Sequence, residues 1–245
     1  MSINLESVVF ALREQVLDGL YAPGEKLREV SVAKSLNVSR TLARLAMSEL
    51  EHEGLLVREP NRGTRIRKFT IQEITDAIEV RGELEAMAVR LAAEKGIPDS
   101  LASEMKALIN RSEYLLSCGV VDEMQREEWV NINEEFHKLL VIASGNWAIE
   151  TAINQISRIP LVSTRAIIFD RKNKEKNLAQ LHSAHADHCI ILSSILTRQG
   201  QRAESRMREH AYSNARNKNL NLANPETMFL ARSLPGGVLI IKSDV

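Results

Sequence analysis

The sequence predicts a mainly α-helical protein that has an N-terminal winged helix-turn-helix domain and a C-terminal all-α helical bundle. Residues 28–67 show two short helical patterns joined by a turn, followed by a hairpin with a basic tip. From residue 70 onward the apolar residues recur at helical spacing, which is typical of bundle helices. We therefore predict domains at residues 1–69 and 70–222. We expect the tail at residues 223–245 to be disordered or to pair with a partner.

The second helix of the turn motif carries the clearest local signals. Ser39 can cap its N-terminus through the hydroxyl group, and Gly54 supplies a left-handed stop at its C-terminal end. The polar residues of its first turn and a half are Ser39, Arg40, Thr41 and Arg44. Recognition helices place such N-terminal side chains against base edges and phosphates. We therefore predict that these four residues bind DNA.

A basic hairpin follows the predicted recognition helix. The apolar run Leu55–Val57 begins its first strand, Pro60–Gly63 forms the turn, and Thr64–Arg67 returns as the second strand. Only Glu59 opposes five cations, which are Arg58, Arg62, Arg65, Arg67 and Lys68. The predicted contacts of this wing with DNA are Arg62, Gly63, Thr64 and Arg65. The alternative is an ordinary pair of core helices with a solvated run of charge, which leaves the agreement of turn, cap, wing and charge unexplained.

Length and composition limit the class of protein. The 245 residues can form one or two domains with a substantial core. The formal net charge of zero fits a small basic DNA-binding domain attached to a larger, roughly neutral one. The chain shows no signal peptide and no apolar stretch long enough to span a bilayer. The two cysteines show no metal-binding or redox spacing, so we expect a cytoplasmic protein without a membrane partner.

The predicted bundle contains six or seven helices. Thr70 and Glu73 form a capping box that opens the first of them, and Gly96 ends it. The spacing predicts the next helices from Pro98 to Ser117, Asp122 to Ser144, Trp147 to about Arg158, Leu161 to Phe169, about Leu178 to Gln199, and Gln201 to about Leu220.

Five of the six histidines lie in this predicted bundle. Asn133 and His137 are four residues apart and share one helical face, while His188 and His210 lie on the two final helices. Three imidazoles and one oxygen ligand would suit zinc or a similar divalent ion such as nickel or manganese. The alternative, that these side chains are satisfied in the core or on the surface, stays open because they are far apart in sequence.

The chain resembles a known family of bacterial regulators. The motifs Pro23–Leu27, Val38–Thr41, Glu53–Leu55 and Arg62–Thr64 resemble the winged helix-turn-helix of GntR-type transcription regulators. The later motifs Glu79–Arg81, Leu84–Glu85, Phe136–His137, Ala143–Asn146 and Arg208–Ala211 resemble the FCD-type (FadR/VanR-like) effector domain of that family. The family's proline, valine and glutamate after the Ser-Arg-Thr motif are replaced here by Leu42, Ala43 and Leu45.

The resemblance implies site residues for the second domain. In the FCD domain an aspartate and three histidines commonly hold a metal beside a small-molecule pocket, and the aspartate position is Asn133 here. Arg81 resembles the arginine that reaches this pocket, where a guanidinium suits a carboxylate. For Arg81 the alternative is a surface ion pair with Glu85, four residues further on.

The resemblance also implies a function. We expect a ligand-responsive bacterial transcription regulator, a repressor, which binds a palindromic DNA operator as a homodimer. A small organic acid bound near the metal would alter DNA affinity. The alternative is a metal-dependent hydrolase that uses the histidine cluster. Because the sequence contains no HExxH, GxSxG or Walker A motif, we predict that the protein is not an enzyme.

Overall fold

The computed structural model describes residues 4–60, 62–120, 122–170 and 172–241. Within these residues the helices are α1 (Leu5–Leu17), α2 (Glu29–Ser35), α3 (Arg40–His52), α4 (Ile71–Lys95), α5 (Asp99–Ser117), α6 (Glu123–Ala143), α7 (Trp147–Ile156), α8 (Lys174–Leu196), α9 (Gly200–Ala223) and α10 (Pro225–Ala231). The strands are β1 (Lys26–Leu27), β2 (Leu56–Glu59), β3 (Gly63–Ile66), β4 (Phe69–Thr70) and β5 (Ile240–Ile241).

The chain divides into two compact units. The first, here called the reader unit, comprises Met1–Ile74, Arg158–Leu161 and Ala231–Val245, as far as these ranges are described. The second, here called the helical unit, comprises Thr75–Ser157 and Val162–Leu230. The fold is mainly helical, with a winged helix-turn-helix followed by an all-helical part, as the sequence predicts.

The reader unit is built around α1, α2 and α3. Leu12, Val16 and Leu50 are fully buried between these helices, so the apolar stripes seen in the sequence form its core. Strands β1, β3 and β2 form an antiparallel sheet in that order. Strands β2 and β3 are the predicted hairpin of the wing, whereas β1 was not predicted. In the turn between β2 and β3, Asn61 lies outside the described residues.

The C-terminal tail is folded over residues 225–241, which differs from the expected disorder or pairing with a partner. Helix α10 is followed by a short 3-10 helix, Gly237–Leu239, and by β5, which pairs in parallel with β4 of the same chain. Leu239 and Ile240 are almost completely buried. The free energy gained by burying these side chains and pairing the two strands compensates for the conformational entropy that is lost when the tail is ordered. Residues 242–245 lie outside the described part.

The helices after the wing lie close to the predicted bounds, except that α8 begins earlier, the helix expected from Leu161 to Phe169 is missing from the described residues and the sequence did not predict α10. The capping box at Thr70 and Glu73 is present, since each residue accepts a hydrogen bond from the other's backbone amide. Asp122 and Gln125 form a second one at the start of α6. Trp129 and Phe136 lie almost wholly inside the core. Over the described residues, every helix is too short or too polar to cross a membrane.

The helix predicted from Leu161 to Phe169 is wrong. Leu161 adopts a left-handed backbone with φ of 60°, and turns and irregular backbone follow it. The carbonyl groups of Val162, Thr164 and Ala166 accept hydrogen bonds from side chains of three different helices. These tertiary bonds replace the local backbone bonds that a helix would make, because buried carbonyl groups need a partner from one source or the other.

Candidate DNA-binding surface and candidate metal centre

The N-terminal end of α3 presents polar side chains to solvent. The Ser39 hydroxyl caps the helix by accepting a hydrogen bond from the Leu42 amide at 3.2 Å. Arg40, Thr41 and Arg44 are exposed. The first turn of α3 contains no acidic residue, so the positive end of the helix dipole is not neutralised locally. Such an end is suited to a phosphate group.

The wing brings its predicted residues together, although they differ in what they contact. Arg62 and Gly63 are exposed, and Gly63 has a left-handed φ of 85° that a side chain would strain. Thr64 is half-buried on β3. Arg65 donates hydrogen bonds to the Glu59 carboxylate at 3.1 Å and to the Gly24 carbonyl at 2.9 Å. Arg65 therefore stabilises the wing itself, which the charge pattern alone did not indicate.

Three histidines from three helices meet inside the helical unit. His137 on α6, His188 on α8 and His210 on α9 are all buried. One ring nitrogen from each lies within 4.8 Å of the others. This is the spacing of ligands around a shared divalent ion, and three imidazoles are a donor set that zinc accepts.

Carboxylates orient two of these rings. His137 Nδ1 lies 3.2 Å from Glu85 Oε1, and His210 Nδ1 lies 3.1 Å from Asp187 Oδ2. Each imidazole can then donate from Nδ1 and keep Nε2 as an acceptor, an arrangement that is usual for metal-binding histidines. Among the described residues, His188 Nε2 is buried without a hydrogen-bond partner. An unpaired buried nitrogen beside two oriented imidazoles fits a metal ligand.

Asn133 lies one helical turn before His137 on α6, and Asn214 lies one helical turn after His210 on α9. The amide nitrogen of Asn133 donates to the Thr164 carbonyl at 3.0 Å, which leaves its Oδ1 as the atom available to a cation. The amide nitrogen of Asn214 lies 3.0 Å from His210 Nε2. A metal that binds His210 through Nε2 would displace this hydrogen bond.

The electrostatic environment favours an ionised Glu85 carboxylate and neutral His188 and His210. Burial opposes ionisation of Glu85, but Arg81 and His137 outweigh it and lower the pKa of the carboxyl to about 2. Burial, followed by the charges of His210 and His137, holds the pKa of His188 well below its usual value. Burial also lowers the pKa of His210, although Asp187 opposes that shift. Neutral imidazole is the form that binds a metal.

Arg81 forms the ion pair with Glu85 that the alternative expects, but this pair is buried and does not lie at the surface. Only 4% of Arg81 is exposed, and its Nε lies 3.4 Å from Glu85 Oε1. Its guanidinium also donates to the Val162 carbonyl. Arg81, Glu85 and His137 line a cavity of about 290 Å³ together with Ser163 and Thr164. A buried guanidinium and an imidazole therefore face one space that a small molecule can occupy.

Sequence reasoning missed the partners of the histidines. The sequence indicates Glu85 as part of a family motif and as a partner of Arg81, but not as a partner of His137, which is 52 residues away. Asp187 is 23 residues away from His210, the imidazole that it contacts. Asn214 lies one helical turn after His210, so only this position carries a local signal. His182 is exposed, while His185 contacts the Ser112 hydroxyl at 2.8 Å.

Comparison with known families identifies the chain. Residues 4–66 match the family described as bacterial regulatory proteins, gntR family, and residues 76–213 match the FCD domain. The chain belongs to the GntR family of transcription regulators, with an FCD domain. Regulators of this family bind DNA operators and are not enzymes, so the metal-dependent hydrolase is excluded. Some FCD domains bind divalent metals.

Curated relatives and solved structures agree with this assignment. The chain is 28% identical over 204 residues to the HTH-type transcriptional regulator YdhC of Bacillus subtilis, a match that covers 76% of this chain and 89% of YdhC. It is 25% identical over 199 residues to the HTH-type transcriptional repressor GlaR of Escherichia coli, covering 81% and 88%. The structure of McbR/YncC from Escherichia coli shares the fold, with a TM-score of 0.59, 19% identity and coverage of 91% of this chain and all of that one.

Proposed function

We propose that this GntR-family protein is a cytoplasmic, ligand-responsive transcriptional repressor that binds a palindromic operator as a homodimer. In this proposal, residues 1–69 read DNA, and residues 70–222 bind a small carboxylate and form the dimer. Family membership establishes the DNA-binding regulator. The operator symmetry, the dimer and the effector are what we propose beyond it.

The exposed N-terminal end of α3 is the observation that carries the DNA-binding part. Arg40, Thr41 and Arg44 project from a helix start that is capped by Ser39 and free of acidic residues. Arginine can bind guanine bidentately, and hydroxyl groups bind phosphates or bases. Arg62 and Gly63 at the tip of the wing would contact the flanking backbone. Because these contacts involve phosphates, the affinity for DNA should fall steeply with salt.

A homodimer supplies two copies of this surface. Two symmetric readers require two half-sites in inverted orientation, which is a palindrome. The relatives GlaR and RspR of Escherichia coli are named as repressors, which supports repression here.

The buried cluster supports the ligand-binding part. His137, His188 and His210 would hold a divalent ion, with Asn133 Oδ1 as a further ligand. Zinc fits this donor set best, and nickel or manganese would also fit. The ion would supply positive charge beside Arg81. Because Asn133 is neutral, that charge would be less compensated than with aspartate, and an anionic effector would be bound more strongly.

Selection of bound duplexes from a random DNA pool tests the proposal. The purified full-length protein should enrich an inverted repeat at about physiological salt, and a carboxylate should weaken binding to that repeat. Enrichment of a single half-site would contradict the dimer. Failure to enrich any sequence, with zinc present and with zinc removed, would contradict sequence-specific reading.

A further inference from the structure

Residues 157–166, here called the linking segment, join the two units by covalent connection. Ser157 belongs to the helical unit, Arg158–Leu161 belongs to the reader unit, and the chain returns to the helical unit at Val162. Any change in the conformation of this segment therefore affects both units. The two ends of the segment and its middle make different sets of contacts.

The helical unit holds the second end of the segment by its carbonyl groups. Arg81 on α4 donates to Val162, Asn133 on α6 donates to Thr164, and Lys218 on α9 donates to Ala166. Ser157, Ser163 and Thr164 also line the 290 Å³ cavity. Two of these three donors, Arg81 and Asn133, are the residues that we assign to the effector and to the metal. The segment thus forms part of the wall of the proposed effector site.

The middle of the segment is attached to the C-terminal end of the recognition helix. The Arg158 guanidinium lies 3.2 Å from Oε1 of Glu53, which is the C-cap residue of α3. The Glu53 side chain is only 5% exposed and also accepts a hydrogen bond from Arg13 on α1 at 2.8 Å. Glu53 is therefore bound by two arginines, of which one lies on α1 and the other on the linking segment.

The segment holds a conformation that depends on contacts at both ends. Leu161, between Arg158 and Val162, has a φ of 60°, which a residue with a branched side chain rarely adopts. Its side chain is buried in the reader unit. Such backbone strain persists only where the surroundings enforce it. Loss of a contact at one end should therefore let the segment relax.

We propose that Arg158 is a positioning residue through which occupation of the cavity changes the recognition helix. This inference rests on the proposed function. Charged acceptors form stronger hydrogen bonds than neutral carbonyl groups. A carboxylate in the cavity therefore draws the Arg81 guanidinium toward itself and away from the Val162 carbonyl, which loses its hydrogen bond. The segment then relaxes at Leu161, and Arg158 changes its contact with Glu53 at the end of α3.

Hydrogen exchange on the full-length protein tests the coupling without DNA and without a known effector. The Arg81→Lys substitution keeps the positive charge beside Glu85 but removes the guanidinium that reaches Val162. We expect amides of residues 50–56 to exchange about fivefold faster or more. Lys218→Met, which frees the Ala166 carbonyl, is the second variant and should change the same amides in the same direction. Arg111→Gln, which breaks an exposed pair with Glu128 at 3.1 Å, is the matched control and should leave them unchanged.

The decisive comparison repeats these substitutions with Arg158→Gln present. The effect of Arg81→Lys on residues 50–56 should vanish in that background, and Arg158→Lys should restore it. The coupling would be overturned if Arg81→Lys changed exchange equally with and without Arg158→Gln. It would also be overturned if Arg81→Lys changed exchange in neither background. A purely structural role of Arg158 would change these amides by itself but would not remove their response to Arg81.

Operator binding separates this inference from the proposed function. If the wild-type protein enriches an operator, Arg81→Lys should weaken binding about fivefold or more only when Arg158 is present. Retention of that effect in the Arg158→Gln background would overturn the coupling while sequence-specific reading stands. If no duplex is enriched, the proposed function fails. The exchange experiment still decides whether a change at Arg81 alters amide exchange at residues 50–56 through Arg158.

Discussion

The N-terminal end of α3 and the region of the histidine cluster both carry basic side chains, but the first region is exposed to solvent and the second is buried. Arg40 and Arg44 are exposed to solvent, whereas Arg81 and His188 are almost fully buried. Keeping a cation exposed to solvent costs little free energy, and an exposed cation can bind a phosphate directly. Its contacts with neighbouring side chains are weak and contribute little to the stability of the fold. A buried polar group must have a partner, so each one is tied to the stability of the fold. The two regions should therefore respond very differently to substitution.

The largest effect on stability should come from the buried Glu85. Glu85→Gln removes the negative charge that faces both Arg81 and His137, and loss of one partner of a buried pair costs about 3–5 kcal/mol. Glu94→Gln is the control on the same helix, because Glu94 pairs with Arg90 in an exposed position, and it should cost less than about 1 kcal/mol. Urea denaturation in metal-free buffer measures both. Equal losses would mean that burial does not distinguish the two carboxylates.

Metal affinity should depend on the buried histidines and not on the exposed His182. His188→Ala removes the imidazole whose Nε2 has no partner within the described residues, and zinc affinity should fall tenfold or more. His182→Ala changes an exposed histidine on the same helix and should retain the metal. Zinc content after dialysis provides the measurement, with circular dichroism to confirm folding. Undiminished zinc in His188→Ala would remove this residue from the ligand set.

In the reader unit, a substitution should reduce DNA binding without changing stability. Arg44→Ala should weaken operator binding by about 1–3 kcal/mol while the melting temperature stays the same. Arg65→Ala should instead lower the free energy of unfolding by about 1–2 kcal/mol, because it removes hydrogen bonds to Glu59 and Gly24. Fluorescence anisotropy and thermal denaturation measure the two quantities. Loss of stability in Arg44→Ala would contradict its assignment as a DNA contact.

The smallest effect should be a dependence of stability on pH at Lys218. Burial, followed by the charge of Arg81, lowers the pKa of Lys218 from 10.5 to about 7. Between these two values the unfolded chain binds more protons than the folded chain, so the free energy of unfolding rises with pH. From pH 7 to pH 8 the rise should be at most about 1 kcal/mol.

The Lys218→Met variant serves as the reference for this dependence. Its stability relative to the wild type should be highest near pH 7 and should fall as pH rises toward 10.5. Urea denaturation at pH 7, 8 and 9 provides the comparison. A difference between the two proteins that stays constant over this range would show that Lys218 keeps an ordinary pKa in the folded state.

Most of the reader unit could be predicted from the sequence because its signals are local. The cap at Ser39 and the left-handed Gly54 each involve residues within a few positions. The predicted capping box at the start of α4 is equally local. Such contacts repeat wherever the same spacing occurs.

The helical unit was less predictable because its decisive contacts join distant residues. The histidine positions were identified, but their partners Glu85 and Asp187 act across 52 and 23 residues. The stretch after Leu161 has a helical composition, yet side chains from α4, α6 and α9 hold its carbonyl groups. The tail was expected to be disordered or to pair with a partner, although Ile240 pairs with Phe69, 171 residues earlier in the same chain.

Ultraviolet crosslinking of the full-length protein to its enriched duplex, followed by peptide mapping, tests the central claim most directly. The comparison of exposed and buried regions predicts that the crosslinked peptides contain residues 39–44 at the start of α3 and residues 62–65 of the wing. Arg44→Ala should reduce the crosslinks at α3, whereas His188→Ala should leave their positions unchanged. Crosslinks confined to the helical unit would contradict the assignment of the DNA-reading surface.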